Sequence, residues 1–310
     1  SSTSRGLGDV YKRQLYNSHD ERVDGLFGAG WSLPYEVSVE VSEDDHLVLV
    51  DEQARRVDMG IITLGDAVFS VGEGLSVRRA HNGELLTESR EGEYRLFQPT
   101  PGRPDRLRLS QIGDRNDNRI YLDYDNQGRL CQLRDTFDQV RVRLGYSEQW
   151  PQRVSHVDFH AASGESQRLA SYGYDANGDL AQVLDGASQP LRGFAYDAAR
   201  RMIEHRTGGG LCCNYEWAQH EDGWRVVRHW TNGGDSYAFE YDVAAGITRV
   251  TDSLGRVAVR HWNPQYQITA YTDALERTWR FEWNDERQLL AASDPCLLYT
   301  SDAADDSLRV

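Results

Sequence analysis

The sequence predicts an all-β protein: a row of β-hairpins added edge to edge into one long antiparallel sheet. The first observation is a recurring phrase of an aromatic residue, an acid or amide, a small turn and a second apolar residue. It reads Tyr124-Asp125-Asn126-Gln127-Gly128-Arg129-Leu130, then Tyr174-Asp175-Ala176-Asn177-Gly178-Asp179-Leu180, then Tyr196-Asp197 through Met202. Looser copies begin at Tyr241-Asp242, Trp262-Asn263 and Trp283-Asn284, and degenerate ones at Tyr146 and Trp217. From Tyr124 to Trp283 the steps between leading aromatics are 22, 28, 22, 21, 24, 21 and 21 residues. A fixed period near twenty is the signature of a repeat array. The second observation is alternation after each phrase, as in Val257-Ala258-Val259-Arg260-His261-Trp262, which argues for half-buried strands. The third is a second turn about half a period on, at Asp135–Gln139, Asp185–Pro190, Asp252–Arg256 and Asp273–Arg277.

Each phrase is a strand end, a turn and the next strand start. Asp or Asn opens the turn by accepting from the backbone two residues on, and Gly supplies positive φ. One unit is therefore a hairpin, with Tyr, Trp, Leu and Val expected on one face of the sheet and Arg, Asp, Glu and Gln on the other. Residues 15–105 read as a β-rich opening region and 106–295 as the array, about eight units long. Gly208-Gly209-Gly210 predicts a loose loop or bulge, and 161–166 a surface insertion that lengthens the 28-residue step. Residues 1–14 and 296–310 resemble translated sequencing-adaptor read-through and lack the repeat. Lys12, the single lysine of the chain, falls in the first of them. Both tails are set aside as non-native.

Composition narrows the function classes. Over 310 residues, 39% hydrophobic and 27% charged content fits a folded chain with ample core. A net charge of −15 repels phosphate backbones and anionic membranes, so nucleic acid is not an expected partner. No apolar run approaches the roughly 18 residues of a membrane-spanning helix. Cys131, Cys212, Cys213 and Cys296 form neither a disulfide framework nor a zinc-ligand spacing.

The Tyr-Asp units resemble the YD repeats of bacterial Rhs proteins, also found in toxin-complex cocoon components and teneurins. Leu15-Tyr16-Asn17-Ser18 followed by Gly25-Leu26-Phe27-Gly28-Ala29-Gly30-Trp31 is similar to the start of an Rhs core. Gly113-Asp114-Arg115-Asn116-Asp117-Asn118-Arg119 is similar to the phrase that leads into the first YD unit. The resemblance covers residues 15–295. It implies that the sheet winds into part of a hollow shell, or cocoon, around a toxic C-terminal polypeptide. It further implies a bacterial protein made in the cytoplasm and then exported or surface-exposed, by type VI secretion or a related route. The expected partners are the remainder of the shell, the enclosed toxin, and a secretion-system spike or chaperone. A delivery domain, the self-cleaving closing segment and the toxin are not found in this sequence.

The residues singled out are accordingly structural: Tyr124, Asp125, Gly128, Tyr174, Asp175, Gly178, Tyr196, Asp197, Tyr241, Asp242, Trp262 and Trp283 in the repeats, and Gly25, Gly28, Gly30 and Trp31 in the opening phrase. The glycine phrase lacks the following helix and Lys-Ser/Thr of a phosphate loop and reads as a tight turn with Trp31 packed beneath. Asp114, Asn116 and Asn118 alternate like calcium ligands, but no Glu stands at the twelfth position, and a turn is the preferred reading. Glu43-Asp44-Asp45 reads as a hairpin tip. His156 and His160 lie on one strand, about 13 Å apart. No nucleophile elbow or metalloprotease helix appears. The expectation is a non-enzymatic chain without cofactor or metal. Two other readings stay open: a cell-surface carbohydrate-binding or adhesion module with outward aromatics, and a β-propeller enzyme with two units per blade.

Overall fold

The computed structural model describes residues 14–20, 22–23, 25–295 and 299–301, the last three in backbone only. All but Gln14 and that short stretch of the two foreign-looking tails, Cys296 included, lies outside the described residues. Every regular element among the described residues is a β-strand. They pack as two compact units, one up to Arg201 and one from Met202.

In the first unit, short strands lead into an antiparallel ladder in which each strand pairs with the next. Ser38–Val41, His46–Val50 and Arg56–Ile61 form one meander. Ala67–Ser70, Leu75–Arg79, Leu85–Ser89 and Tyr94–Thr100 form another. The strand Arg103–Gly113 joins them. It pairs with Tyr94–Thr100 along one side; on the other, its first half takes Ser38–Glu40 and its last residues take Arg119–Tyr121. An opening/array boundary at residue 105 therefore falls inside a single strand.

From there the repeat runs as Arg119–Tyr124, Leu130–Asp135, Val140–Tyr146, Val154–Ala161, Ser166–Tyr174, Leu180–Asp185 and Pro190–Tyr196, each antiparallel to its neighbours. The second unit repeats the pattern from Met202–Thr207 through Leu289–Ser293 without interruption. Continuous pairing within each unit is a long antiparallel sheet. It rules out the blade division that a propeller requires.

Two sequence expectations need correction. Gly208-Gly209-Gly210 is a tight turn closed by the Thr207 N–H on the Leu211 carbonyl (2.9 Å), with Gly210 at φ 87°. The 161–166 stretch is likewise an ordinary turn, closed by the Ala161 N–H on the Glu165 carbonyl (2.9 Å). The long step comes instead from longer strands (8 and 9 residues) and from the turn around Trp150. Backbone pairing absorbs extra residues by extending a hairpin, so no loop is needed.

The core lies in the first unit. Val39, Leu47, Phe97 and Leu109 are buried in the opening strands, and Leu122, Leu133, Val142, Val157 and Leu180 in the array. Of the buried apolar side chains among the described residues, Met202 and Ala270 alone lie beyond Arg201. Each full burial of such a side chain is worth about 1.5–3 kcal/mol, so the two units differ greatly in this term.

Candidate functional site

The repeat phrase builds a turn of fixed geometry. The Asp125 carboxylate accepts from the N–H groups of Gln127 and Arg129, both 2.9 Å, while the Gly128 N–H closes on the Asp125 carbonyl. Asp175 does the same for Asn177 and Asp179, Asp197 for Ala199 and Arg201, and Asn263 for Gln265 and Gln267. The fourth residue is left-handed each time: Gly128 (77°), Gly178 (75°), Arg200 (63°), Tyr266 (60°). Asp242 departs from this. Its carboxylate takes Ala245, one residue further on, and the left-handed residue is Gly246. Asp114, considered above as a calcium ligand, has the same engagement, accepting from the N–H groups of Asn116 and Asn118.

A β-bulge accompanies the turn. Tyr124 pairs with Leu130, Tyr146 with Val154, Tyr174 with Leu180, Trp217 with Val226 and Trp262 with Ile268, each beside a register shift. A bulge leaves a backbone group without its ladder partner. The next unit supplies the donor. The Tyr146 hydroxyl donates to the Leu130 carbonyl (2.7 Å), Tyr174 to Val154, Tyr196 to Leu180 (2.6 Å), Tyr241 to Val226 (2.8 Å), and the Trp283 indole N–H to Ile268 (2.9 Å). Tyr124 serves Leu109, beside the bulge of the preceding strand (2.6 Å). The exception supports the rule. Tyr241 and Thr248 pair without a bulge, and there the Trp262 indole donates to the Thr248 hydroxyl instead (3.2 Å).

Arginines complete the tie. The Arg129 guanidinium lies 4.2 Å over the Tyr146 ring, Arg108 4.3 Å over Tyr124, and Arg225 5.0 Å over Tyr241. Arg and Leu of one phrase thus both serve the aromatic of the next. The expected separation of aromatics and charges onto opposite faces does not hold at these positions, because a cation over a ring is itself favourable by about 0.5–1 kcal/mol or more. Burial raises the pKa of Tyr124, Tyr146, Tyr174 and Tyr196 well above the ordinary phenol value, so these hydroxyls stay donors.

The glycine turn docks on this lattice. Gly28 (φ 98°) and Gly30 (φ 76°) are left-handed, whereas Gly25 is not. A Cβ on Gly28 would stand 2.7 Å from the Gly178 carbonyl and 2.9 Å from Asp179 Cα, so only glycine fits. Leu26 and Phe27 carbonyls accept from the N–H groups of Val154 (3.0 Å) and Leu180 (3.1 Å). Fully buried Phe27 meets Tyr172 edge-on at 4.7 Å. Trp31 meets Phe194 at 4.7 Å and donates to the Tyr196 hydroxyl (2.7 Å), which itself donates to Leu180. Trp31 is buried, packed against the array rather than beneath its own turn.

Three polar side chains hold the turn. Arg153 donates to the carbonyls of Gly178 (2.9 Å), Gly25 (2.7 Å) and Val23. Glu36 accepts from the N–H groups of Leu26 (2.9 Å) and Leu33 (2.8 Å); burial raises its pKa against the opposing pull of those bonds and of Arg22. Asp179, fully buried, accepts from the Ala29 N–H (2.9 Å) and from Arg200.

Sequence reading singled out none of these three, nor Arg200, though Asp179 carries a visible signal. In the other turns opened by Asp or Asn with this closure its slot holds Arg55, Arg129, Arg201, Arg256 or Arg277, or else Asn118, Gln139, Gln189, Gln267 or Gln288. Where Arg would cover the next tyrosine, Asp179 leaves room beside Tyr196, and Tyr16 and Trp31 occupy it. The other residues singled out serve turns and ties and are not gathered into one pocket. Among the described residues no group of three or more His, Cys, Asp or Glu is placed to hold a metal.

Residues 5–59 match a family described as a domain of unknown function, DUF6531. The chain is 31% identical over 242 residues to double-stranded DNA deaminase toxin A of Burkholderia cenocepacia, covering 77% of this chain and 16% of that protein. It is 29% identical over 284 residues to toxin protein Tse5 of Pseudomonas aeruginosa (78% and 21%). Against the probable deoxyribonuclease RhsA of Dickeya dadantii it is 27% identical over 197 residues (62% and 13%). The chain thus spans about a fifth or less of the length of these relatives. On these matches the chain belongs to the Rhs family of YD-repeat proteins.

Proposed function

We propose that this chain is a wall segment of an Rhs-type shell that encloses a C-terminal toxin, and that its work is containment rather than catalysis. The observation that carries the reading is the tie between units. At the leading positions Tyr146, Tyr174, Tyr196, Tyr241 and Trp283 an aromatic hydroxyl or indole N–H satisfies a carbonyl that the previous bulge left open, a tie by which further repeats can be added in register. A wall needs that property, and a pocket enzyme does not. The toxin relatives supply the context: all three named proteins are toxins or probable nucleases much longer than this chain. Production in a bacterial cytoplasm, export by a type VI or related system, and a spike or chaperone partner belong to the same proposal.

The test is to recover the full reading frame, express that protein and cleave it at its shell–toxin junction. Containment predicts that the C-terminal piece stays with the shell through gel filtration and resists added protease until the shell is denatured. Free separation of an intact, folded C-terminal piece under native conditions would sink the proposal.

A further inference from the structure

The second unit carries an open hollow of about 350 Å³ lined by Arg260, Ile268, Tyr271, Phe281 and Trp283. Its place in the repeat gives it meaning. Ile268 pairs with Trp262 beside a bulge, as Leu180 pairs with Tyr174. Trp283 donates to the Ile268 carbonyl, as Tyr196 donates to that of Leu180. Phe281 stands two residues before Trp283, as Phe194 stands before Tyr196. Arg260 and Tyr271 occupy the slots of Tyr172 and Val183. The hollow is the register equivalent of the surface on which Phe27 and Trp31 dock in the first unit.

We propose that this hollow is a second docking site, for a polypeptide turn carrying a carboxylate where Phe27 stands and an aromatic ring where Trp31 stands. The first site shows the type of occupant: a turn that offers a carbonyl to the bulge residue's N–H and an aromatic to the paired rings. The difference between the sites sets its charge. Tyr172, which meets Phe27 edge-on, is replaced by Arg260, a cation 5.8 Å from the Tyr271 ring. An apolar ring on that cation is a poorer match than a carboxylate, which pairs with guanidinium directly. Gln267 stands in the slot of Asp179 and is engaged with Asn263 (2.9 Å), so the occupant needs no N–H directed there. The inference rests on repeat register and is independent of the wall reading.

Two amidated peptides of residues 25–34 test it on the whole chain, one native and one with Phe27→Glu, each titrated by fluorescence anisotropy of an attached dye. The expected result is saturable binding with the Glu peptide several-fold tighter, at least tenfold weakening by Phe281→Ala, and loss of the Glu preference in Arg260→Ala. Hydrogen exchange should place the protection at Ile268 and at 281–283. Arg260→Ala leaves the apolar lining intact, so the preference is decisive even if Phe281→Ala fails to fold. The proposal is overturned by no saturation at millimolar peptide, by protection confined to 180–196, or by a preference that survives Arg260→Ala. Phe281-dependent binding of cellohexaose without binding of either peptide would assign the hollow to sugar and overturn it equally.

Discussion

Replacing Tyr146 by Phe removes one oxygen and leaves the Leu130 carbonyl, opened by the bulge at Tyr124, without its donor. An unsatisfied buried acceptor costs about 1–3 kcal/mol, and the Arg129 lid over the ring remains. Tyr146→Phe is therefore expected to lower the urea midpoint with an unchanged m-value. No change in midpoint would mean that water satisfies Leu130 and that the tie is packing alone. The turns make a complementary prediction. Glu276 sits at φ 61°, a conformation costly for a residue with a Cβ, whereas Gly128 sits at φ 77° with nothing within 4 Å of the place a methyl would take. Glu276→Gly should raise stability by about 0.5 kcal/mol after the entropy of the unfolded glycine is counted. Gly128→Ala should lower it by about 1 kcal/mol through backbone conformation alone. A loss of stability in Glu276→Gly together with no loss in Gly128→Ala would show that contacts, not φ, set the turn.

The glycine turn is the element whose place on the array is set by one slot. Asp179→Arg restores the residue that other turns carry there and puts its side chain where Ala29 and Trp31 now lie. The expected outcome is fast exchange of the N–H groups of Ala29, Val154 and Leu180, with the strands 119–146 still protected. Unchanged protection at 154 and 180 would show that Arg153 and Phe27 suffice. Much of this element is legible in the sequence: Gly28, Gly30 and Trp31 stand out because a glycine-tryptophan turn has few other uses. Its partner surface is not, since Arg153 lies about 130 residues away in sequence and no periodicity encodes which unit receives a loop. Hairpins are legible for the opposite reason. Asp125, Gly128 and Leu130 act within a few residues of one another, so local chemistry states the turn. The bulge at Tyr124 is hidden because it adds one residue to a phrase whose spacing already looks regular.

At the scale of the molecule the two units share a repeat but differ in what protects it. At neutral pH, amides of 202–295 should exchange before those of the array strands up to Arg201, because so few side chains of the second unit are fully buried. Alkali should narrow that difference. In the first unit burial raises the pKa of Tyr124, Tyr146, Tyr172, Tyr174 and Tyr196 far above the ordinary phenol value. A raised phenol holds its proton in the folded state after the unfolded chain has lost it. The stability that it lends is therefore whole below about pH 10 and declines as pH rises beyond that. In the second unit Trp217, Trp262 and Trp283 stand at leading positions and have no proton to lose, while burial raises the phenols of Tyr215 and Tyr241. Tyrosinate absorbance should thus show a cooperative step above the ordinary phenol range. Loss of β-sheet circular dichroism should accompany that step. If all sixteen tyrosines titrated on one curve near pH 10 with the sheet signal intact, the hydroxyl-to-carbonyl tie could not be what holds the first unit in register.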